Sequence, residues 1–176
     1  MHYTPNSDGA LDLIPGGQGY DTAGAAIEGA TRTFISAGAP ASIMLTADRA
    51  AYTADRNDLV FVTATAVDSR GMRVPYFNES ITFARGAERV LRAMALPESG
   101  AADSANNNAE LIAVGSGSPT DRSATMGAAS RAAFNGRVVG VYRPTKGAVA
   151  PFTVTITAAA GQLRSNSLVV HFQEVL

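Results

Sequence analysis

Alternation between apolar and polar residues is the clearest pattern in the second half of the chain. Between Phe152 and Ala158 every second residue is apolar, and the residues between them are threonines. A period of two places one set of side chains on the buried face of a β-strand and the other set on the wet face. The segment 168–172 repeats the pattern. Both segments are therefore predicted to be half-buried strands.

Other segments of high β-propensity are separated by turn signals, which is typical of an all-β chain. The predicted strands are 42–47, 59–67, 74–77, 80–83, 110–114, 137–142, 152–158 and 168–172. Asp68-Ser69-Arg70-Gly71 and Asn135-Gly136 are predicted to be tight turns. Runs of strands without intervening helices predict an all-β fold, an immunoglobulin-like antiparallel β-sandwich of about seven or eight strands.

The composition divides the chain into a short first region and a longer second one. Residues 1–36 are rich in glycine, alanine and turn-forming residues. They are predicted to be an N-terminal arm or linker, or the remains of a neighbouring domain. Within them, 23–35 fits either one short helix or an edge strand. Residues 37–176 are predicted to form the sandwich, with an insertion around 85–109 and a second long loop over 116–133.

Composition and charge exclude several classes of function. The chain has no cysteine, so thiol nucleophiles, disulfides and thiolate metal sites are excluded. Its net charge is -1 and its only lysine is Lys146. No basic cluster with aromatic residues predicts a nucleic-acid site. No apolar run approaches the ~20 residues of a membrane span. The first residues lack the pattern of a signal peptide. Neither nucleic acid nor membrane insertion is therefore expected.

Metal and cofactor sites are not predicted. The only histidines are His2 and His171, and the alternation of the last strand places His171 on its wet face. Asp48, Asp55 and Asp58 flank a polar turn and are candidate calcium ligands, but their spacing matches no EF-hand loop. The Pro15-to-Gly17 run lacks the following lysine of a phosphate-binding loop.

No residue is predicted to be catalytic. Ser116 and Ser118 do not lie in the five-residue Gly-x-Ser-x-Gly elbow of serine hydrolases. A glycosidase needs two carboxylates that face each other across the sugar. Asn78-Glu79 is the one superficial match, and it is predicted to be a polar turn; Asn78-Glu79-Ser80 also matches a glycosylation sequon. The glutamates are Glu28, Glu79, Glu88, Glu98, Glu110 and Glu174.

Few aromatic residues are available for stacking on a sugar. Tryptophan is absent and aromatic residues make up 7% of the chain, which disfavours a free-standing carbohydrate-binding module. The candidates for an exposed platform are Tyr52, Tyr76, Phe77 and Tyr142, and most of them suit a core or edge position equally well.

Two stretches carry a family resemblance. The first runs from Ala37 to Pro75, and the second runs from Leu111 to Thr120 and continues over 131–137. Together they resemble the C-terminal immunoglobulin-like domain of glycoside hydrolase family 2 enzymes of the β-galactosidase type. That domain is similar to the bacterial Ig-like repeats of invasin-type adhesins. The most specific part is Ala133-Phe134-Asn135-Gly136, together with the Gly-x-Gly-x-Pro-Thr stretch beginning at Gly115. Where the family usually has Gly-Asn-Gly-Asp-Pro, this chain has Gly-Ser-Gly-Ser-Pro.

The resemblance implies an accessory role in a bacterial protein. The parent enzymes hydrolyse β-linked galactosides or related sugars with two glutamates of a TIM-barrel domain, which this chain lacks. The expected partners are other domains of the parent glycosidase and possibly carbohydrate, and the expected location is periplasmic or secreted. Asp121, Arg122, Arg131 and Asn135 are candidate contact residues at one end of the sandwich. An adhesin-type structural domain and a carbohydrate-binding module remain the alternatives.

Overall fold

A computed structural model describes residues 2–5, 11–14, 16–20, 22–33, 35–85 and 108–174, with side chains for 22–25, 35–85 and 108–174. The chain divides into two compact units, Met1–Gly38 and Ala39–Leu176. In the described part of the chain, no helix is long and apolar enough to cross a membrane.

The first unit consists of short antiparallel strand pairs. Strand β1 (His2–Pro5) pairs with β2 (Leu11–Ile14), and β3 (Gly16–Tyr20) pairs with β4 (Ala26–Thr33). The stretch 23–35, which fits both a helix and a strand by sequence, therefore contains a strand. The prediction that residues 1–36 act as an arm or linker stays a prediction.

The second unit is a two-sheet sandwich. Its strands are β5 (Ser42–Ala47), β6 (Ala51–Thr53), β7 (Val60–Val67), β8 (Ser80–Arg85), β9 (Ala109–Gly115), β10 (Ser130–Ala132), β11 (Arg137–Pro144), β12 (Phe152–Ala160), β13 (Leu163–Arg164) and β14 (Leu168–Gln173). One sheet has the antiparallel order β5-β7-β11-β9. The other has the order β10-β8-β12-β14-β6, with β13 paired to β12 and with β14 parallel to β6.

This strand order is that of an immunoglobulin-like sandwich. If β5, β7, β8, β9, β11, β12 and β14 are lettered A to G, the first sheet has the order A-B-E-D and the second contains C-F-G. The predicted all-β, immunoglobulin-like sandwich is therefore confirmed. The described residues contain ten strands in this unit rather than seven or eight, because β6, β10 and β13 have only two or three residues each.

The core lies between the sheets and follows the alternation seen in the sequence. In β14, Val170 and Phe172 are buried while Val169 and His171 point to solvent. Apolar residues of β7 face them from the other sheet, and β12, which pairs with β14, is buried continuously from Ile156 to Ala160. The predicted wet face of β12 therefore ends at Thr155, and Thr157, which the alternation places on that face, is buried.

Gly140 lets the two sheets approach closely. It lies on β11 opposite the ring of Phe83 on β8, and a Cβ atom at this position would be 3.2 Å from that ring. The Phe83 ring also meets Tyr142 edge-on, with ring centroids 6.4 Å apart. The absence of a side chain at Gly140 therefore makes room for an aromatic contact between the sheets.

The strand predicted over 74–77 is wrong. Val74 and Phe77 are both buried, but the residues between them are exposed, and the Phe77 amide donates to the Val74 carbonyl 3.2 Å away. This i-to-i+3 bond closes a turn. Pro75 has no N–H to give to a sheet ladder, so the segment bends here instead of extending.

Both predicted tight turns are confirmed. Gly71 and Gly136 have φ angles of 78° and 71°, and Asn135 also has a positive φ of 50°. Phe134 and Arg137 exchange two backbone hydrogen bonds of 3.1 Å, so Asn135-Gly136 is the two-residue loop of a hairpin. A Cβ at Gly136 would lie 2.2 Å from the Val74 carbonyl oxygen, which excludes any larger residue there. The Phe-Asn-Gly motif thus has a structural role.

Candidate functional site

The loop between β9 and β10 contains two of the four candidate contact residues, Asp121 and Arg122, and it is held against the sheet edge. Val114 donates its amide to the Thr125 carbonyl at 3.0 Å, and Gly127 donates to the Ile112 carbonyl at 3.1 Å. Met126 forms an isolated bridge to Ala113 between these bonds. The loop thus satisfies the free edge of β9, a feature that protects sheets from pairing with other chains.

Arg131, on strand β10, makes the side-chain contacts that hold this loop. Its side chain is 5% exposed, and Nη1 donates to Oδ2 of Asp121 at 3.1 Å. Nη2 donates to the carbonyl of Val114 at 3.2 Å and also to that of Ala124. One guanidinium therefore connects the end of β9, the middle of the loop and strand β10. In the described part of the chain, Nε of the same guanidinium is buried and has no hydrogen-bond partner.

The Asp121 carboxylate is held by the loop backbone as well as by Arg131. Its Oδ1 accepts the Ser123 amide at 2.9 Å, and the hydrogen bonds from Ser123, followed by the charge of Arg131, lower the pKa of the Asp121 carboxyl. Asp121 is therefore ionised at neutral pH. We call Asp121, Ser123 and Arg131 the arginine cluster.

A pocket of about 400 Å³ lies beside the arginine cluster. Asp121 and Arg131 line it together with small residues from β8, the loop and β10, including four alanines. Five of the lining residues are serines, namely Ser80, Ser116, Ser118, Ser123 and Ser130. We call this cavity the serine pocket. Among the described residues that line it, none is aromatic.

The four predicted contact residues are only partly brought together. Asp121 and Arg131 line the serine pocket, whereas Arg122 is exposed and Asn135 lies in the hairpin turn. The sequence reasoning missed Ser80 and Ser130, which become neighbours through the pairing of β8 with β10, where Ser130 lies opposite Thr82. The only sequence signal for them is the richness of the loop in serine.

The candidate calcium ligands lie in a second polar cluster, which is satisfied by the protein. Asp48 Oδ1 accepts the Tyr52 hydroxyl at 2.7 Å and the Phe61 amide at 2.9 Å. Asp58 accepts Nη2 of Arg49 at 2.5 Å on one oxygen. The Arg49 guanidinium also lies 4.6 Å from the centre of the Tyr52 ring. We call Asp48, Arg49, Tyr52 and Asp58 the tyrosine cluster.

The chemistry of the tyrosine cluster does not suit a metal. The second oxygen of Asp58 accepts the Thr53 amide at 2.7 Å, and Asp55 accepts the Asn57 amide at 2.7 Å. The Arg49 guanidinium, which lies between the carboxylates of Asp48 and Asp58, repels a cation, and oxygens of both carboxylates already accept N–H or O–H donors. In the described part of the chain, no group of three or more histidine or acidic side chains is arranged to hold a metal ion.

Glu110 is held between two arginines rather than facing another carboxyl group. Its Oε1 accepts Nε of Arg143 at 2.7 Å and Nη2 of Arg56 at 3.0 Å. The hydrogen bond from Arg143 is the main cause of a lowered pKa for this carboxyl, and burial opposes it weakly. A general acid in glycoside cleavage needs a raised pKa, so Glu110 is unsuited to that role.

The remaining histidine, glutamate and aromatic candidates differ in their exposure to solvent. His171 is exposed, as the alternation of the last strand predicts, and Glu79 lies on an exposed bend. Among the four aromatic candidates, Tyr52, Phe77 and Tyr142 are buried, and Tyr76 is 62% exposed. The side chains of His2, Glu28, Glu88 and Glu98 and most of the 85–109 insertion lie outside the described residues.

Comparison with known families identifies part of the sandwich. The class of fold is already defined as an immunoglobulin-like sandwich. Residues 43–89 match the family model described as glycoside hydrolase family 2 C-terminal domain 5. A search of curated proteins gave no significant match.

Solved structures of family 2 proteins contain a similar domain. A glycosyl hydrolase family 2 member from Bacteroides cellulosilyticus is 25% identical, with a TM-score of 0.63 over 89% of this chain and 17% of that chain. A family 2 member from Bacteroides cellulosilyticus DSM 14838 is 24% identical, with a TM-score of 0.59 over 89% and 18% of the two chains. A beta-glycosidase from Bacteroides vulgatus is 19% identical, with a TM-score of 0.60 over 88% and 16%.

The resemblance to a C-terminal immunoglobulin-like domain of family 2 glycoside hydrolases is thus confirmed by the family model and these structures. The present chain spans less than a fifth of the length of each of these three solved chains. The more specific β-galactosidase type stays a prediction.

Proposed function

We propose that this chain is the non-catalytic accessory domain of a larger β-glycosidase, and that it packs on or extends the catalytic domains. The observation that carries the proposal is the match of residues 43–89 to a C-terminal domain of family 2. It is supported by a family 2 structure in which a region similar to 89% of this chain accounts for 17% of the protein. A parent enzyme specific for β-galactosides is the finer form of the proposal.

The polar groups of the sandwich support an accessory role. The carboxylates of Asp48, Asp58, Glu110 and Asp121 are each engaged by arginine, tyrosine or backbone donors that lower their pKa. Groups arranged in this way hold strands and loops in place. Glycoside cleavage instead requires one protonated carboxyl and one free carboxylate on opposite sides of the bond to be broken.

Two alternatives have different requirements. An adhesin-type structural domain would share this fold, and the match of residues 43–89 to a family 2 domain favours the glycosidase instead. A carbohydrate-binding module usually presents aromatic rings for stacking. Of the four tyrosine and phenylalanine candidates, only Tyr76 is well exposed. The accessory role therefore ranks first.

The proposal is tested by comparing three proteins: this chain alone, the full polypeptide that contains it, and that polypeptide without residues 39–176. We expect this chain to release no nitrophenol from nitrophenyl β-galactoside or β-glucuronide. We expect the full polypeptide to hydrolyse such a substrate and to lose thermal stability when the sandwich is deleted. Hydrolysis by the isolated chain would overturn the proposal, and so would a full polypeptide without glycosidase activity.

A further inference from the structure

The serine pocket offers hydrogen-bonding groups that the fold does not use. Within the described residues, the hydroxyls of Ser80, Ser116 and Ser130 make no hydrogen bond to the protein, although Ser118 and Thr120 face each other at 3.2 Å. A hydroxyl is both donor and acceptor. Three such groups around one cavity can therefore match a ligand whose own groups both donate and accept.

The walls of the pocket are already in place. Asp121 and Arg131 join the loop to strand β10, and the Ala133 amide donates to the Glu79 carbonyl at 3.0 Å on the β8 side. The loop is also bonded to β9 at two backbone positions. A preformed site loses less conformational entropy when a ligand binds, which favours binding even when each contact is weak.

The charges of the pocket favour a neutral ligand. Arg131 would attract an anion, but its guanidinium is paired with the Asp121 carboxylate, which would repel that anion. A cation meets the opposite combination. The pocket has a volume of about 400 Å³ and is open to solvent, since more than half of its lining residues are exposed. The lining thus fits a compact, uncharged molecule that carries several hydroxyl groups.

We propose that the serine pocket is a binding site for a neutral saccharide unit, held by the hydroxyls of Ser80, Ser116 and Ser130 and by the free lone pairs of Asp121. The preference for a saccharide over other neutral polyols rests on the proposed function as part of a glycosidase. Because the described lining includes no aromatic ring for stacking, the Kd lies in about the millimolar range, which corresponds to roughly 4 kcal/mol or less.

The test is an NMR titration of the ¹⁵N-labelled chain with methyl β-D-galactopyranoside and methyl β-D-glucopyranoside, up to about 100 mM because the expected binding is weak. Glycerol, glucuronate and inorganic phosphate are titrated in parallel. We expect saturable shifts at the amides of Ser116, Ser123 and Arg131 with at least one neutral sugar. Glycerol and phosphate should leave these amides unchanged.

Two leucine variants make the test specific. Ser116→Leu fills the pocket and should raise the Kd at least about tenfold, which corresponds to 1.4 kcal/mol. Ser167→Leu alters an exposed serine outside the lining and should bind like the wild type. If Ser116→Leu loses its dispersed spectrum, Ser130→Leu takes its place, since Ser130 is exposed on the short strand β10.

Each other outcome overturns the inference. Absence of saturable shifts in the folded wild type would mean that the pocket is not a sugar site. Shifts with glucuronate or phosphate alone would indicate anion recognition by Arg131, and equal shifts with glycerol would indicate an unselective polyol site. None of these outcomes affects the accessory role, which depends on the comparison of the full and shortened polypeptides.

Discussion

Two polar clusters lie at the surface of the sandwich unit, and they contain similar residue types. The hydrogen bonds of the tyrosine cluster are made within the cluster and to nearby backbone, because the oxygens of Asp48 and Asp58 accept from Tyr52, Arg49 and backbone amides. The arginine cluster makes hydrogen bonds only on the side that faces the loop. Asp121 and Arg131 bond each other and the loop, but they also line the serine pocket, where the hydroxyls of Ser80, Ser116 and Ser130 make no hydrogen bond to the described residues. A cluster that uses all its donors stabilises the fold, whereas one beside unused hydroxyls is a candidate for binding.

The largest expected effect is that of removing the guanidinium from the arginine cluster. Arg131→Met leaves the Asp121 carboxylate and two carbonyls without their donor while it keeps most of the side-chain volume. The bond to the Val114 carbonyl is buried, and leaving a buried acceptor without its donor costs about 1–3 kcal/mol. We expect a loss of this size in denaturant unfolding.

Arg122→Met is the matched control, because Arg122 is the exposed neighbour of Asp121. Its effect should stay within about 0.5 kcal/mol. If both variants lose the same stability, Arg131 does not hold the loop, and the contrast between the clusters fails.

The tyrosine cluster should be less sensitive, because its bonds are spread over more groups. Tyr52→Phe removes the hydroxyl that donates to Asp48 and accepts the Arg49 amide at 2.9 Å, but keeps the ring, whose centroid lies 5.8 Å from that of Phe172. We expect a loss of about 1–2 kcal/mol in the free energy of unfolding. Ser167→Ala, which removes a hydroxyl from an exposed residue, is the control and should change little. An equal loss in both variants would contradict a role for the buried hydroxyl.

The tyrosine cluster also predicts a pH dependence. Burial, followed by the hydrogen bond to Asp48, raises the pKa of Tyr52 to about 12. An unfolded tyrosine titrates near 10. Below about pH 10 the stabilisation is complete, and above it the unfolded chain releases a proton that the folded chain retains, so stability falls up to about pH 12.

This loss is measurable as a change in the gap between wild type and Tyr52→Phe. Between about pH 9 and about pH 11 the stability advantage of the wild type should shrink by about 1 kcal/mol. A gap that stays constant over this range would mean that Tyr52 titrates as it does in the unfolded chain.

The sequence predicted those features that depend on local pattern. Strand 152–158 was recognisable because its alternation persists over seven residues, and the Asn135-Gly136 turn was recognisable because a two-residue hairpin needs positive φ angles. The prediction failed at 74–77, where β-branched and aromatic residues occur in a turn that buries Val74 and Phe77. The β-propensity of Val74 and Phe77 favoured a strand there, whereas Pro75, which has no N–H for a sheet ladder, favours the observed turn.

The candidate site was only half predictable for the same reason. Asp121 and Arg131 both fall within the predicted loop 116–133, although the structure places Arg131 on strand β10. The serine pocket combines that loop with Ser80 and Ser130, which the pairing of β8 and β10 brings to one side of the unit. No spacing in the chain specifies this pairing, since about fifty residues separate the two serines and part of the intervening segment lies outside the described residues.

The smallest expected effect separates a serine that holds the fold from one that lines the pocket. Ser165 Oγ accepts the amide of Ala158, which is buried, at 2.7 Å, so Ser165→Ala leaves that donor unsatisfied and should cost about 1–2 kcal/mol. Ser130 has no such bond among the described residues, and Ser130→Ala should stay within about 0.5 kcal/mol of the wild type in denaturant unfolding. If Ser130→Ala is as destabilising as Ser165→Ala, its hydroxyl has a structural partner. The serine pocket would then be part of the scaffold in the way the tyrosine cluster is, and the reason to regard it as a ligand site would be lost.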